Sequence, residues 1–274
     1  MPSIAQALRQ AQAIGLERPD AQLLLGHLLQ RERAWLTAHD AQALAEPTAT
    51  AFAAGCRRIA DGEPLAYVIG EQHFYGLRLG VTPAVLVPRP DTETLVDWAL
   101  ALLPTLTASP PRVLDLGTGS GAIALAVAQG HGTAVLSATD LSADALAVAR
   151  GNAQRLGLAV QFSQGAWWQA VAAEQRFDLV LSNPPYIAAT DAHLPALRHE
   201  PLLALSPGGD GLDAYRQIVA GAAVHLAPGG WLLFEHGWDQ ADAVADLLRD
   251  AGFSHISHRH DLARRPRCTG GCLA

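Results

Sequence analysis

Residues 112–121 read Arg-Val-Leu-Asp-Leu-Gly-Thr-Gly-Ser-Gly, an apolar run followed by glycines at every second position. Glycine adopts backbone conformations that other residues avoid, so this stretch predicts a strand that turns sharply into a helix and lets a ligand approach the backbone. From here to the C-terminus, short apolar segments alternate with helical ones. Such alternation predicts a parallel, doubly wound sheet and therefore an α/β fold.

A carboxylate follows the next predicted strand, residues 134–139. This residue, Asp140, is expected at the carboxyl edge of the sheet, where ligands of such folds bind, and its oxygens can accept both hydroxyls of a ribose. The same glycines and acid also fit the dinucleotide fingerprint, which leaves an NAD-dependent oxidoreductase as an alternative. Asp115 either hydrogen-bonds the loop amides or meets the ammonium group of a cofactor, and both interpretations stay open.

A second loop, Asn183-Pro184-Pro185-Tyr186, ends the apolar segment 178–181. Proline has no N–H, so this loop offers carbonyl acceptors with few competing donors. The Asn183 side-chain oxygen and the Pro184 carbonyl can each accept one hydrogen of a substrate NH2 group, while Tyr186 packs on its flat face. An amide nitrogen is a poor nucleophile, and good orientation toward an electrophile such as a sulfonium methyl contributes on the order of 7–11 kcal/mol.

The composition limits the classes of protein to consider. Half of the 274 residues are hydrophobic and 16% are charged, which predicts a sizeable core and argues against global disorder. A net charge of -7 and a pI near 5.8 count against a nucleic-acid-binding surface. The three cysteines suggest no disulfide framework and fit reduced thiols in a cytoplasmic protein. No secretory signal or membrane span is expected.

Three regions are predicted along the chain. Residues 1–72 carry helical leucine patterns and no catalytic motif, which predicts an N-terminal helical domain that serves either substrate recognition or packing alone. Residues 73–90 are rich in glycine and proline and are expected to form a β-hairpin linker, with strands around 74–79 and 84–87. Residues 91–274 form the predicted catalytic domain.

These motifs together resemble class I amino-methyltransferases. Further segments, in the right order along nearly the whole chain, are similar to the release factor glutamine methyltransferase family, the HemK/PrmC family. They are Gly62–Tyr67, Val87–Glu93, Glu200–Pro201 with Ala204–Leu205, Gly209–Leu212 and Glu235–Gly237.

The resemblance implies a Rossmann-like seven-stranded sheet with a small N-terminal helical domain and a β-hairpin linker. It also implies methyl transfer from S-adenosylmethionine to the side-chain nitrogen of the glutamine in the Gly-Gly-Gln motif of peptide-chain release factors. Such an enzyme of translation termination is expected to be cytoplasmic and monomeric, without direct contact to nucleic acid.

The resemblance also assigns residues. Those implied for the cofactor are Gly117, Thr118, Gly119, Ser120, Gly121, Asp140, Trp167, Trp168 and Asn183. Those implied for catalysis are Asn183, Pro184 and Tyr186, and Pro185 joins them in binding the substrate.

Two segments depart from the family pattern. Ala166 stands where an aspartate is usual before the adenine-contacting tryptophan, so either Trp167 or Trp168 can fill that place. The closing segment, usually similar to Asp-Leu-Ala-Gly-Arg, is 261–267, Asp-Leu-Ala-Arg-Arg-Pro-Arg, which suggests an altered last strand.

Other functions remain to be weighed. A glutamine methyltransferase acting on a ribosomal protein would use the same loop, and a DNA or RNA base amino-methyltransferase would hold an extruded planar base there. A silent S-adenosylmethionine-binding adaptor is disfavoured by the intact Asn183. Further candidates are Arg89 and Glu93 at the mouth of the site, with a helix cap and surface ion pair as the alternative. Glu235 and His236 at a strand end are also candidates, with packing as the alternative. No metal is expected, because the C-terminal histidines and cysteines lack the tight spacing of zinc ligands; they are His255, His258, His260, Cys268 and Cys272.

Overall fold

A computed structural model describes residues 1–273, and the chain divides into two compact units between Glu71 and Gln72. The N-terminal unit consists of helices with a hydrophobic core of their own, in which Ile4, Leu25 and Phe52 are buried. A capping box between Ser3 and Gln6 satisfies free backbone donors where the first helix begins. The helices are α1 Ile4–Ala13, α2 Arg18–Leu29, α3 Arg33–Ala38, α4 Glu46–Ala60 and α5 Leu65–Ile69.

A short hairpin follows, with β1 at Glu71–Phe74 and β2 at Leu77–Gly80. Tyr75 and Gly76 connect the strands, and both have positive φ, as a two-residue type I′ turn requires. The predicted second strand at 84–87 was wrong, because this tight turn pairs β1 with the segment that follows at once. Residues 84–87 are instead irregular.

Helices and strands then alternate as predicted. The helices are α6 Glu93–Leu102, α7 Ala122–Gly130, α8 Ala143–Leu156, α9 Leu202–Leu205, α10 Asp213–His225 and α11 Ala241–Asp250. The strands are β3 Arg112–Leu116, β4 Val135–Asp140, β5 Gln161–Gln164, β6 Phe177–Ser182, β7 Leu226–Glu235, β8 Phe253–His260 and β9 Pro266–Leu273.

In the described part of this unit, β3 to β9 form a seven-stranded sheet in the order β5-β4-β3-β6-β7-β9-β8. All neighbours pair in parallel except those of β9, which runs antiparallel to both β7 and β8. The order in which strands are added to the sheet reverses at β3, which pairs with β4 on one side and β6 on the other. Ligands of doubly wound sheets bind outside the carboxyl ends of the strands at this switch point.

Both faces of the sheet are covered by helices. One face packs Leu95 of α6 and Leu125 of α7, and the other packs Tyr215 and Ile218 of α10, all of them buried. Every residue of β6 is buried as a result, which explains its apolar residues at Phe177 and from Leu179 to Leu181. The predicted α/β class, seven-stranded sheet and N-terminal helices are confirmed. Within residues 1–273, no helix combines the length and apolar character needed to cross a membrane.

The last strand, β9, pairs antiparallel with both neighbours, and its register with β8 shifts between Ser254 and Ser257 and between Arg259 and His260. Cys268 of β9 lies opposite Glu235 of β7 and also pairs with Arg259 of β8. The expectation of an altered last strand stays a prediction, and the residue that departs from the family pattern lies in the turn between β8 and β9. There Arg264, which replaces the usual glycine, adopts a left-handed conformation with φ 61°.

Replacing Arg264 with glycine is expected to stabilise the protein. A left-handed conformation costs a non-glycine residue about 1–2 kcal/mol, and the greater freedom of glycine in the unfolded chain offsets part of that gain. We expect the free energy of unfolding, measured by urea denaturation, to rise by up to about 1 kcal/mol. Glycine at the adjacent exposed Arg265, which lacks positive φ, should lower stability instead. Equal effects at both positions would contradict this account.

Candidate active site

The carboxyl ends of β3, β4 and β6 surround a cavity of about 400 Å³, here called the first cavity. The loop after β3 forms its floor, and the segment between β2 and α6 forms part of its wall. Its lining includes Val85, Leu86, Gly117, Thr118, Gly119, Ser120, Asp140, Leu141, Ser142, Gly165, Trp167, Asn183, Pro185 and Gln217. Most of the residues implied for the cofactor therefore lie together.

The glycine loop turns back onto the end of β4. The amides of Gly117 and Thr118 both donate to the Thr139 carbonyl at 2.9 Å. Gly117 has φ 75°, and a Cβ added to it would lie 3.3 Å from the Trp167 ring. Glycine is thus required both by the backbone conformation and by the indole packed against it.

Gly121, which the resemblance implies for the cofactor, lies where the glycine loop meets α7. It does not line the first cavity. It begins α7 with φ 83°, and a Cβ there would lie 3.3 Å from the Cβ of Ala149 in α8. Gly121 therefore permits close helix packing beside the cavity.

Asp140 lies half-buried at the end of β4 and lines the first cavity. Its Oδ2 accepts a hydrogen bond from the Gly119 amide at 2.8 Å, and its Oδ1 accepts one from the Ser142 amide at 2.9 Å. Burial raises the pKa of this carboxyl, and the backbone amides oppose the shift by stabilising the charge. The carboxylate is thus fixed toward the cavity, with lone pairs left for ligand hydroxyls.

Asp115 is fully buried beneath the glycine loop. Its Oδ2 accepts hydrogen bonds from the Thr118 hydroxyl at 2.6 Å and the Ala124 amide at 3.3 Å. Burial raises the pKa of Asp115 to about 7, more than these hydrogen bonds lower it. Asp115 does not line the first cavity, so the structure favours the loop-capping interpretation over contact with a cofactor ammonium.

The two tryptophans face different ways. Trp167 has φ 46°, lines the first cavity and donates through Nε1 to the Gln217 side chain at 3.1 Å. Trp168 packs against α10, where its Nε1 donates to the Ile218 carbonyl at 2.8 Å and its ring stacks on His225. The structure thus places Trp167 in the lining of the first cavity and Trp168 outside it, and the cofactor contact implied for either residue stays a prediction.

A second cavity, of about 410 Å³, lies on the other side of Asn183. It is lined by Leu86, Arg89, Asn183, Tyr186, Ile187, Leu197, Ala204, Leu205 and Glu235. In the loop after β6, Pro185 faces the first cavity, Tyr186 faces the second, and Asn183 lines both. Pro184 is buried between them and lines neither.

Asn183 lies beside Thr92 and Glu235, two residues that the sequence analysis did not connect with it. Its Nδ2 donates to the hydroxyl of buried Thr92 at 3.3 Å. Glu235 ends β7 beside it with 1% exposure. Burial raises the pKa of Glu235 to about 7, while the neighbouring Thr92 and Asn183 side chains act in the opposite direction. Burial, followed by the charge of Glu235, also raises the pKa of Tyr186.

Asn152 of α8 is a supporting residue that the sequence analysis missed. Its Nδ2 donates to the Gly80 carbonyl at 3.0 Å and the Ser120 carbonyl at 2.8 Å, while its Oδ1 accepts from the Gly80 amide at 2.7 Å. It therefore ties the end of β2 to the glycine loop. The available signal was a polar residue on the buried stripe of α8, three residues after Ala149.

The other candidate residues differ in whether they line a cavity. Arg89 lines both cavities and pairs with the buried carboxylate of Glu200. Glu93 accepts a hydrogen bond from the Tyr75 amide at 2.8 Å and supports the hairpin turn. His236 is buried, with Nε2 2.7 Å from the Thr269 hydroxyl, and lines neither cavity. Among residues 1–273, no group of three or more His, Cys, Asp or Glu side chains could hold a metal ion.

The sheet order, with antiparallel β9 between β7 and β8, and the cavity between a glycine loop and an acid define a class I methyltransferase. Residues 94–210 match the methyltransferase small domain model, and residues 3–70 match the PrmC N-terminal domain model. The T. thermophilus 16S rRNA N2 G1207 methyltransferase, in complex with AdoMet and guanosine, shares the fold. Its TM-score is 0.57 at 19% identity, covering 74% of this chain and 50% of that one.

Sequence relatives identify the particular family. The release factor glutamine methyltransferase of Bordetella pertussis is 52% identical over 94% of this chain and 96% of its own length. That of Xylella fastidiosa strain Temecula1 is 50% identical over 97% of this chain and 96% of its own length. The chain belongs to the release factor glutamine methyltransferase family, and the resemblance seen in its motifs is confirmed.

Asp115 is expected to make stability depend on pH. Because its pKa is raised in the folded state, the stabilisation is complete at low pH and is lost as pH rises through about 7. Asp115→Asn removes that ionisation while keeping an oxygen for Thr118 and Ala124. Relative to wild type, the variant should gain at least about 1 kcal/mol more at pH 8 than at pH 5 in urea denaturation. The same difference at both pH values would contradict a raised pKa.

Proposed function

We propose that this chain transfers a methyl group from S-adenosylmethionine to the side-chain amide nitrogen of the glutamine in the Gly-Gly-Gln motif of peptide-chain release factors. The observation that carries the proposal is the position of Asn183. Asn183 lines both cavities, so a methyl donor bound in one can reach a substrate bound in the other.

The first cavity fits the methyl donor. The glycine loop lines the first cavity, and the open space beside Gly119 leaves room for an extended ligand along the backbone. Asp140 presents a fixed carboxylate suited to ribose hydroxyls, and the Trp167 indole offers a flat apolar surface suited to adenine. When bound there, S-adenosylmethionine supplies an electrophilic methyl group on a positively charged sulfur.

The second cavity fits a planar amide. Apolar walls from Leu197 and Leu205 suit the methylene groups of a glutamine side chain, and Tyr186 provides a flat surface. In this proposal the Asn183 Oδ1 accepts one amide hydrogen, and the carbonyl of Pro184, a residue that lines neither cavity in this structure, accepts the other once the substrate is bound. With both hydrogens held, the lone pair of the nitrogen points toward the first cavity.

Methyl transfer then depends mainly on the orientation of the amide nitrogen toward the methyl carbon. The nitrogen does not have to lose a proton before it attacks. The nitrogen lone pair forms a bond to the methyl carbon as the carbon–sulfur bond breaks, and the sulfur leaves as a neutral thioether. The nitrogen afterwards releases one proton to solvent. Well-oriented reactants gain on the order of 7–11 kcal/mol, which compensates for the weak nucleophile.

The sequence relatives favour release factors over the alternatives. The 52% and 50% identical relatives are both release factor glutamine methyltransferases. The net charge of -7 disfavours an enzyme that grips a nucleic-acid backbone. A glutamine of a ribosomal protein remains the second candidate, because the same loop chemistry would serve it.

We further propose that the helical region 1–72 recognises the protein substrate. It has its own core, and residues 3–70 match the PrmC N-terminal domain. The residues lining both cavities all belong to the C-terminal unit. Chemistry and recognition are therefore assigned to separate parts of the chain.

The substrate is tested by incubating a bacterial release factor with the protein and S-adenosylmethionine. We expect intact mass to increase by one methyl group and fragment masses to place it on the glutamine of Gly-Gly-Gln. Asn183→Ala should nearly abolish transfer, because one amide hydrogen loses its acceptor, while cofactor binding measured by calorimetry stays within a few-fold. Near-normal transfer by this variant would overturn the proposed mechanism. No transfer by the cofactor-binding wild type would redirect the search to ribosomal proteins and nucleobases.

The two tryptophans provide a separate test of the donor site. Trp167→Ala should weaken S-adenosylmethionine binding on the order of 10-fold, because an aromatic surface for adenine is lost. Trp168→Phe keeps a ring against α10 and serves as the matched control. It should lower the melting temperature through the lost Nε1 hydrogen bond and leave the cofactor Kd unchanged. A reversed pattern would show that Trp168 contacts the cofactor.

A further inference from the structure

Three polar side chains meet at the boundary between the two cavities. Ser182 of β6 lies opposite Phe234 of β7, so the next residues, Asn183 and Glu235, end neighbouring parallel strands side by side. Thr92 reaches them from the start of α6. Thr92 is 4% exposed and Glu235 is 1% exposed, so this contact is shielded from solvent.

The surroundings of Asn183 favour one orientation of its side-chain amide. The amide nitrogen has two hydrogens, and Nδ2 donates to the Thr92 hydroxyl at 3.3 Å. Thr92 and Asn183 both lower the pKa of the neighbouring Glu235 carboxyl, so they favour its ionised form. An ionised carboxylate offers only acceptors, so the amide nitrogen of Asn183 is favoured over its oxygen on the side of Glu235. The Asn183 nitrogen is therefore engaged within the protein, and its oxygen is left for the substrate.

This orientation matters because an asparagine amide is nearly symmetric in shape. If the group rotated by half a turn, it would present its NH2 to the NH2 of the substrate, and two donors would meet. A carboxylate beside the nitrogen penalises that rotation, because the Asn183 oxygen would then face the negatively charged Glu235. In a buried site this repulsion is only weakly screened.

Glu235 also retains unused hydrogen-bonding capacity. It lines the second cavity, and its Oε2 has no hydrogen-bond partner among residues 1–273. A buried carboxylate without full hydrogen bonding is costly for stability, so such a group is typical of a functional site. Gln or Met would fill the same space without burying a charge.

We propose that Glu235 is a positioning residue that, together with Thr92, fixes the Asn183 amide with its oxygen toward the substrate nitrogen. The inference rests on the proposed function and deepens it. Glu235 acts through Asn183 and does not itself take a proton from the substrate. It therefore sets the rate of transfer rather than the affinity for either ligand.

Several charged or titratable groups face Glu235 from the elements packed around it. They are Asp91 before α6, Arg89 in the lining of both cavities, Tyr186 after β6, Tyr215 of α10, and Arg267 and Cys268 of β9. Arg267 lies 3.0 Å from Asp91 and favours the ionised form of Glu235. Burial nevertheless raises the pKa of Glu235 to about 7. The ionised, orienting form is thus lost as the pH falls below about 7.

The test compares wild type with Glu235→Gln in methyl transfer to a release factor at saturating S-adenosylmethionine. Glutamine has nearly the same shape but can turn an NH2 toward Asn183 and no longer repels its oxygen. We expect kcat to fall on the order of 10- to 100-fold, with the KM for the release factor and the cofactor Kd within about 3-fold. The wild-type kcat should decline below about pH 7, and this decline should be absent in the variant.

Two sets of controls separate this role from a general structural one. Glu93→Gln makes the same exchange near the same helix start, at a carboxylate that binds the Tyr75 amide, and should leave kcat and its pH profile unchanged. Thr92→Val should reproduce the loss in kcat, whereas Thr92→Ser, which keeps the hydroxyl, should restore at least half of it. These Thr92 variants decide the question if Glu235→Gln does not fold.

The outcomes distinguish this inference from the proposed function. If wild type transfers methyl groups and Glu235→Gln keeps both the wild-type kcat and the acidic decline, Glu235 does not position Asn183. A variant that loses cofactor binding together with activity would likewise overturn the inference, because it would show a structural role. If wild type itself transfers nothing to the release factor, the proposed function fails first.

Discussion

The parallel pairing of β3 with β4 on one side and β6 on the other is the constraint on which the site depends. It aligns Leu114 with Ser137 and with Val180, so the three strands end together. The glycine loop, Asp140 and Asn183 follow those ends directly and therefore meet around one cavity, although they are far apart in sequence. The pairing is held by burial on both faces, since β6 is buried throughout its length.

The site places acidic groups where stability alone would not favour them. Asp115 and Glu235 are buried, and burial raises the pKa of each to about 7. Each also has an oxygen without a hydrogen-bond partner in the described part of the chain. Asp115 holds the glycine loop through Thr118, and Glu235 lies against Asn183. Unfavourable burial of this kind is expected at positions selected for function rather than for stability.

Several features followed from local chemistry and were predictable. A loop with glycine at Gly117 and Gly119 needs positive φ, and the structure has it at both positions. The proline pair after Asn183 predicts a loop poor in donors in any tertiary setting. The hairpin was only partly predictable, because the choice of strand partner depends on a two-residue turn at Tyr75 and Gly76, whose conformation the glycine-rich composition around it does not specify.

The sequence by itself determined the fold class, the glycine loop, the acid at the end of β4 and the loop from Asn183 to Tyr186. These features depend on local backbone freedom and on the alternation of hydrophobic segments, both of which can be read from neighbouring residues. Only the tertiary structure decided that Trp167 faces the cavity while Trp168 packs on α10, and that Glu235 lies beside Asn183. Adjacent tryptophans have equal propensities, and partners 52 residues apart meet only through strand register. Long-range packing, which local patterns do not encode, made those choices.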